Sequence, residues 1–267
     1  MKMNKIKNKL NIIKTFLKTY TYESVSDFCL IFSDIIVGIS IPVFIQIILW
    51  NYVYSETSEI NGYSNTKIIL YAIITIIFSR FNNGHNIIVD TSEYIKKGII
   101  DLYNVKPVSY KTFQLLKFYG QNTIYFPLIT IFTITSLFLF GDLNFIIAII
   151  VFIIWSQYIS FQLSYILGIF SYWLINDKFL SFLYFVSLSI FGGMLIPIEF
   201  WPENIQIFLK YNPFRLLVSG IPDFILNPKM SIFINLLCLF IFYTFILNFI
   251  IKILSKHTIK YCESNGG

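Results

Sequence analysis

Long apolar runs constrain this chain more than any other feature. A segment that crosses about 30 Å of hydrocarbon at about 1.5 Å per residue needs about 20 apolar residues, and a helix satisfies its own backbone while doing so. The runs from about Phe28 to Tyr52, Ile124 to Phe140, Asn144 to Trp173 and Met230 to Ile253 meet that condition. Phe179 to Pro197 has adequate length but is rich in Ser and Gly. The remaining candidate, second in chain order, has a clean run only from Ile68 to Phe78 before Ser79 and Arg80, so it spans only if the polar stretch through His85 extends it. Composition agrees: 13% of residues are charged, against about 25% in an ordinary soluble domain. The expected fold class is all-α, a polytopic membrane protein of six transmembrane helices.

Basic residues orient such a chain, because Lys and Arg concentrate in cytoplasmic loops. Lys2, Lys5, Lys7, Lys9, Lys14 and Lys18 precede the first span, and Arg80, Lys96, Lys97, Lys106, Lys111 and Lys117 follow the second. With Lys178, Lys252, Lys256 and Lys260, sixteen of the 20 basic residues fall on one side, leaving Lys67, Lys210, Arg215 and Lys229 on the other. A multi-pass protein of the cell membrane with both termini cytoplasmic follows. The net charge of +6 is accounted for by that arrangement, so no nucleic-acid partner is needed. Ahead of the first span, Ile6, Leu10, Ile13, Leu17 and Tyr20 recur at spacings of four and three, one apolar face of a helix lying among lipid headgroups. No cleavable signal peptide is expected there.

Between the apolar runs lies a charged island, Glu93 to Ser109. Asp90 followed by Glu93 has the spacing of a capping box, which predicts a short amphipathic helix starting there. Ile95 and Ile99 would share one face of it, with Lys96 and Lys97 pointing elsewhere and Gly98 offering a stop or bend. Pro107 disfavours a helical Lys106, and Ser109 is placed to cap the next helix. The largest external excursion, Ile198 to Pro228, combines Pro202, Pro213, Pro222 and Pro228 with apolar residues such as Phe200, Trp201, Leu209 and Phe214. Either short half-helices dipping back into the outer leaflet or a flat interfacial helix reconciles the two.

Several chemistries lack their parts. No G-x-x-x-x-G-K-[ST] phosphate loop occurs, and no glycine precedes a lysine, so the chain has no ATP site of that kind. His85 and His257 sit outside any H-E-x-x-H pattern, and Cys29, Cys238 and Cys262 are scattered, so neither a metal site nor a disulfide framework is expected. Polar residues near the spans are the remaining candidates for a pathway. Gln46, Gln157 and Gln162 either bond neighbouring helices or face a substrate path. Arg80, with Asn82, Asn83 and His85 after it, either lines a wet inner vestibule or touches headgroups.

These residues resemble the membrane subunits of type-two ABC exporters, six-span permeases whose ATPase is a separate chain. Glu93, Ile95, Gly98, Leu102 and Pro107-Val108-Ser109 are similar to that family's first coupling region. Gly192-Gly193 through Pro197, then Phe200, Pro202 and Asn212-Pro213-Phe214, are similar to the series across its re-entrant external hairpin. The amino-terminal amphipathic helix matches its connecting helix. The resemblance implies a connecting helix over 1–27, a permease domain over 28–254 with a coupling loop at 80–122 and an external re-entrant hairpin at 198–228, and a cytoplasmic tail over 255–267. Glu93, Tyr94, Ile95, Lys97, Gly98 and Ile99 would then touch the ATPase. Gly192, Gly193, Pro197, Pro202, Pro213 and Phe214 would form the external gate. ATP and Mg would bind the partner subunit and no cofactor this chain. A second permease, identical or dissimilar, would complete the path by which substrate leaves the cytoplasm or inner leaflet. The alternative is a non-catalytic membrane immunity or accessory protein that binds a toxin or another membrane protein.

Overall fold

The computed structural model describes the backbone of residues 2–26, 28–104, 106, 108–140, 142–174 and 176–265. Almost all of it is helical. Helix α1 (Lys2–Ser26) leads into α2 (Phe28–Ser33), a π-helical turn (Asp34–Ser40) and α3 (Ile41–Val53). A hairpin of β1 (Glu59–Ile60) and β2 (Tyr63–Ser64) then precedes α4 (Asn65–Phe81) and α5 (His85–Lys96). After a 3-10 segment (Ile99–Asn104) come α6 (Tyr110–Asn122), α7 (Phe126–Phe140), α8 (Ile146–Leu174) and α9 (Asp177–Ile190). The short α10 (Glu203–Tyr211), α11 (Pro213–Leu217) and α12 (Gly220–Leu226) precede the long α13 (Met230–Asn265).

Among the described residues, four helical stretches are long and apolar enough to cross a membrane: Asp34–Val53, Tyr110–Leu139, Leu143–Ser171 and Met230–Lys256. The second of these joins α6 to α7 through a single 3-10 turn at Thr123–Tyr125. Helix α4 is 17 residues long and does not continue through His85, because the chain breaks at 82–84 and restarts as α5. Helix α9 is shorter than the run Phe179 to Pro197 suggests. It ends at Ile190, and the turn that follows places Gly193 at φ +78°, a conformation that costs a residue with a Cβ.

The central element is α8, apolar along its length yet carrying the buried Ser156, Ser160 and Ser164. Small residues let neighbouring backbones come close, and α5 uses this. A Cβ placed on Gly84 would lie 1.5 Å from the Ser164 hydroxyl oxygen and 2.4 Å from its Cβ. One placed on Gly168 would meet the Thr91 Cβ at 2.6 Å. On its other side α8 packs on α13, where Trp155 Nε1 donates to Thr244 Oγ1 at 2.8 Å and the Phe152 and Phe240 rings stack at 5.1 Å.

The segment 198–228 forms broken helices that turn back into the bundle. Near its start Glu199 is held against the β-hairpin, its carbonyl accepting from Asn61 Nδ2 at 3.1 Å. Its tip reaches the opposite end of α4, where Asn82 Nδ2 donates to the Leu217 carbonyl at 2.7 Å. Those ends are about 25 Å apart along a helix of this length. Leu216, Leu217, Val218 and Ile221 are fully buried as a result. Arg215 enters with them, its Nη1 donating to the Lys210 carbonyl at 3.0 Å and its Nη2 lying 3.4 Å from Asp223. Both side chains are less than a tenth exposed, so removing either alone would leave a buried charge, a loss of about 3–5 kcal/mol.

Helix α1 packs beside the bundle rather than lying free. Phe16 and Tyr20 set their rings against Phe113 of α6, and a Cβ on Gly120 would meet the Tyr20 Cβ at 2.7 Å. The apolar face read from Ile13, Leu17 and Tyr20 is therefore rotated, since Ile13 is exposed and Phe16 turns inward. The side chains of Ile6 and Leu10 lie outside the described residues.

Candidate functional site

The charged island stands at the end of the bundle opposite the β-hairpin. Its helix begins earlier than the capping-box spacing suggests. Helix α5 starts at His85 with Gly84 as its N-cap, and the His85 amide donates to Asn83 Oδ1 at 3.1 Å. Asp90 lies inside the helix and bonds Lys117 Nζ of α6 at 2.7 Å. Glu93 instead pairs with Lys97 one turn on. The reason is tertiary: starting at His85 lets α5 lay Ile87, Ile88, Thr91, Ser92 and Ile95 against α8 and α9, and all five are buried. Burial of that apolar face outweighs a cap contribution of about 1 kcal/mol.

Ile95 and Ile99 consequently do not share a face. Ile95 is 6% exposed within the chain's own core, whereas Ile99 follows Gly98, which adopts φ +65° and redirects the chain into a 3-10 segment. What the island presents outward is Glu93, Lys97, Gly98 and Leu102, with Tyr94 and Ile99 half-buried behind them. Leu102 is 57% exposed, an apolar side chain among charges. Pro107 lies outside the described residues. Ser109 caps α6, its Oγ accepting from the Thr112 amide at 3.3 Å.

This surface is mounted on a rigid base. Tyr103 packs its ring against Tyr94, Tyr110 and Phe113, and Phe113 in turn contacts α1. Burial pushes the Tyr103 hydroxyl up to about 12, so it remains neutral. At the far end of α5, Lys96 Nζ donates to Asp177 Oδ1 of α9 at 3.1 Å. That hydrogen bond holds the Asp177 carboxyl below the usual carboxylate range, so the tie is present at neutral pH and is lost only in strong acid.

The loop joining α4 to α5 is the connection between the island and the hairpin. Asn82 is fully buried there. Its amide nitrogen holds the hairpin tip, and its carbonyl accepts from Ser160 Oγ at 2.6 Å and Tyr184 Oη at 2.9 Å. The Phe81 carbonyl accepts from Gln157 Nε2 at 3.2 Å. Asn82 therefore does not line a vestibule. Gln162 likewise donates across helices, to the Thr244 carbonyl at 3.4 Å, and Gln46 ties α3 to the turn after α9 through the Leu195 carbonyl at 3.3 Å. All three glutamines serve as bonds between separate elements in this conformation.

Arg80 does line a cleft. Together with Asn83, His85, Asn122 and Tyr125 it borders a cavity of about 250 Å³ between α1, the π-helical turn, α5 and the α6–α7 junction. Its Nε donates to the Gly38 carbonyl at 2.9 Å and its Nη1 to Asp34 Oδ1 at 3.3 Å. Asp34 also accepts from the Tyr125 hydroxyl. The sequence separations, 46 and 91 residues, explain why no local pattern revealed this cluster.

After α9, Gly193 is fixed by the Tyr71 hydroxyl, which donates to its carbonyl at 2.7 Å. The Gly192-Gly193 turn brings the end of α9 beside Val218 and Ser219 of the hairpin. Pro197 and Pro202 each precede a short helix, and Pro213 begins α11 behind the cap Asn212, whose Oδ1 accepts from the Arg215 amide at 3.1 Å. Phe214 meets Tyr184 edge-on at 6.1 Å. The glycines and prolines thus shape the broken helices at their turns. Residues 40–266 match the family described as ABC-2 family transporter protein. No curated protein matches the chain.

Proposed function

The chain belongs to the ABC-2 transporter family, and we propose that it is the permease subunit of an ATP-driven exporter, coupled to a separate ATPase that binds ATP and Mg. A second permease, a copy or a dissimilar chain, completes the path, and substrate leaves the cytoplasm or the inner leaflet. Helices α4 and α9, shorter than the four clear spans, complete a set of six with both termini cytoplasmic. In that frame the hairpin at 198–228 enters from the outer leaflet, and Gly192, Gly193, Pro197, Pro202, Pro213 and Phe214 shape the external gate.

The observation that carries the reading is the island with its mounting. Glu93, Lys97, Gly98 and Leu102 offer a mixed charged and apolar surface, with Tyr94 and Ile99 at its edge. Ile95 belongs to the same segment but acts from within, by fixing α5 to the core. A push on this surface moves α5, and α5 continues through Gly84 and Asn82 into the tip of the hairpin. That contiguous set of contacts is a physical route from the ATPase end to the gate. The glutamines can break and remake bonds along it as helices shift, and Arg80 borders the cleft beside it.

Two experiments test this reading. Pull-down of the chain from native membranes is expected to bring a phosphate-loop ATPase of separate sequence, while the chain purified alone hydrolyses no ATP. A native complex without an ATPase would favour an accessory protein that binds a toxin or another membrane protein. For orientation, Cys262 is expected to resist an impermeant thiol reagent in intact cells while Ser58→Cys reacts. The opposite pattern would reverse the topology.

A further inference from the structure

The cleft at Arg80 is built for a ligand, and we propose that it binds a phosphate group, carried either on a lipid headgroup or on a soluble phosphate ester. This does not depend on the ATPase partnership. Asn122 is 8% exposed, lines the cleft, and has no hydrogen-bond partner at its amide nitrogen. A buried donor left unpaired forfeits its hydration without recompense, so its position calls for an acceptor. The start of α5 lies at the same cavity, with His85 and Asn86 among its lining residues and the His85 amide taken by Asn83 Oδ1 at 3.1 Å. Helix starts present amides and a partial positive charge to anions.

The charges point the same way. Among the described residues, Asp34 is the one carboxylate lining the cavity, and its two oxygens accept from Arg80 Nη1 and the Tyr125 hydroxyl. It therefore orients Arg80 and is already engaged. Arg80 spends Nε and Nη1 on Gly38 and Asp34, and its Nη2 makes no hydrogen bond among the described residues. A guanidinium edge, an orphan amide and a helix start together match the several acceptor oxygens of a phosphate. A cavity of about 250 Å³ also suits a headgroup better than a single ion.

A lipid source has its own support. Arg80 and Asp34 also border a second, more open depression of about 420 Å³, with Ser33, Val37 and Gly38. Beyond it α3 exposes Ile41, Phe44 and Ile45, an apolar surface on which acyl chains can lie.

The test uses the purified full-length chain in a phosphate-free maltoside detergent, reading its thermal unfolding midpoint during titration. The probes are short-chain phosphatidic acid, glycerol 3-phosphate and short-chain diacylglycerol. Phosphatidic acid is expected to raise the midpoint saturably while diacylglycerol does not. A matching response to glycerol 3-phosphate assigns the site to soluble esters, and its absence assigns it to lipids. Asn122→Asp, which sets a carboxylate against the phosphate, is expected to weaken the response at least tenfold, as is Arg80→Gln. If Arg80→Gln fails to fold, Asn122→Asp carries the comparison. No response to either phosphate probe, an equal response to diacylglycerol, or unchanged affinity in Asn122→Asp would overturn the proposal.

Discussion

Gly84→Ala is expected to prevent α5 from seating on α8. The added Cβ would lie 2.4 Å from the Ser164 Cβ as well as 1.5 Å from its hydroxyl. The hydroxyl can rotate, but the Cβ is fixed to the backbone, so relief requires the helices to separate. Overpacking in a core ordinarily costs about 1–3 kcal/mol. Here separation also uncovers Ile87, Ile88 and Ile95 and pulls at the Asn82 bond to the hairpin tip, so the loss is expected to lie at or above the top of that range. The measurement is the monodisperse fraction on size exclusion in detergent, with limited proteolysis across 82–104. Ser164→Gly added to Gly84→Ala removes both close contacts and leaves Tyr184 Cε1 at an ordinary 3.5 Å, so the double variant is expected to recover. An intact, protease-resistant Gly84→Ala chain would show that the close approach at this point is dispensable.

Leu102→Asp is expected to uncouple the permease while leaving its own fold intact. The side chain is 57% exposed, so the chain alone loses little by the change. Seated in an ATPase groove, a leucine is worth about 1.5–3 kcal/mol, and a carboxylate in its place adds an unpaired charge to the loss. Since about 1.4 kcal/mol is a factor of ten in affinity, co-purified ATPase is expected to fall at least tenfold and export with it. Lys96→Gln serves as the comparison, because Lys96 turns toward Asp177 of α9, and its effect is expected to be small. Ile95→Asp would not report on the partner. That side chain is buried in the chain's own core, and a charge there damages the fold first. Normal export and ATPase recovery in Leu102→Asp would remove this surface as the lever.

Much of this arrangement was legible from local pattern. The four clear apolar runs correspond to the four stretches long and apolar enough to cross a membrane, because hydrocarbon thickness translates directly into run length. Ser109 announced its helix start and Gly98 its bend, since caps and left-handed turns depend on one or two neighbours. Gly192-Gly193 and the spaced prolines marked where helices break, for the same reason. The start of α5 differs from the local pattern because two signals conflict. A capping-box spacing at Asp90 competed with an apolar face that begins at Ile87, and the face won by burying more.

By itself, then, the sequence determined that the chain is helical and apolar, where its long helices run, and where they must stop. It could not determine which polar groups meet. Asn82 reads as one more loop asparagine, yet it joins the α4–α5 turn to Leu217, Ser160 and Tyr184 across as many as 135 residues. Arg80 reads as the end of an apolar run, yet its environment comes from Gly38, Asp34 and, through Asp34, Tyr125. Only the tertiary structure decided these, along with the depth of the hairpin and the inward face of α5. Lipid and protein interior are equally apolar, so hydropathy cannot tell a face that meets lipid from one that meets another helix, and a buried polar side chain finds its partner in space rather than along the chain.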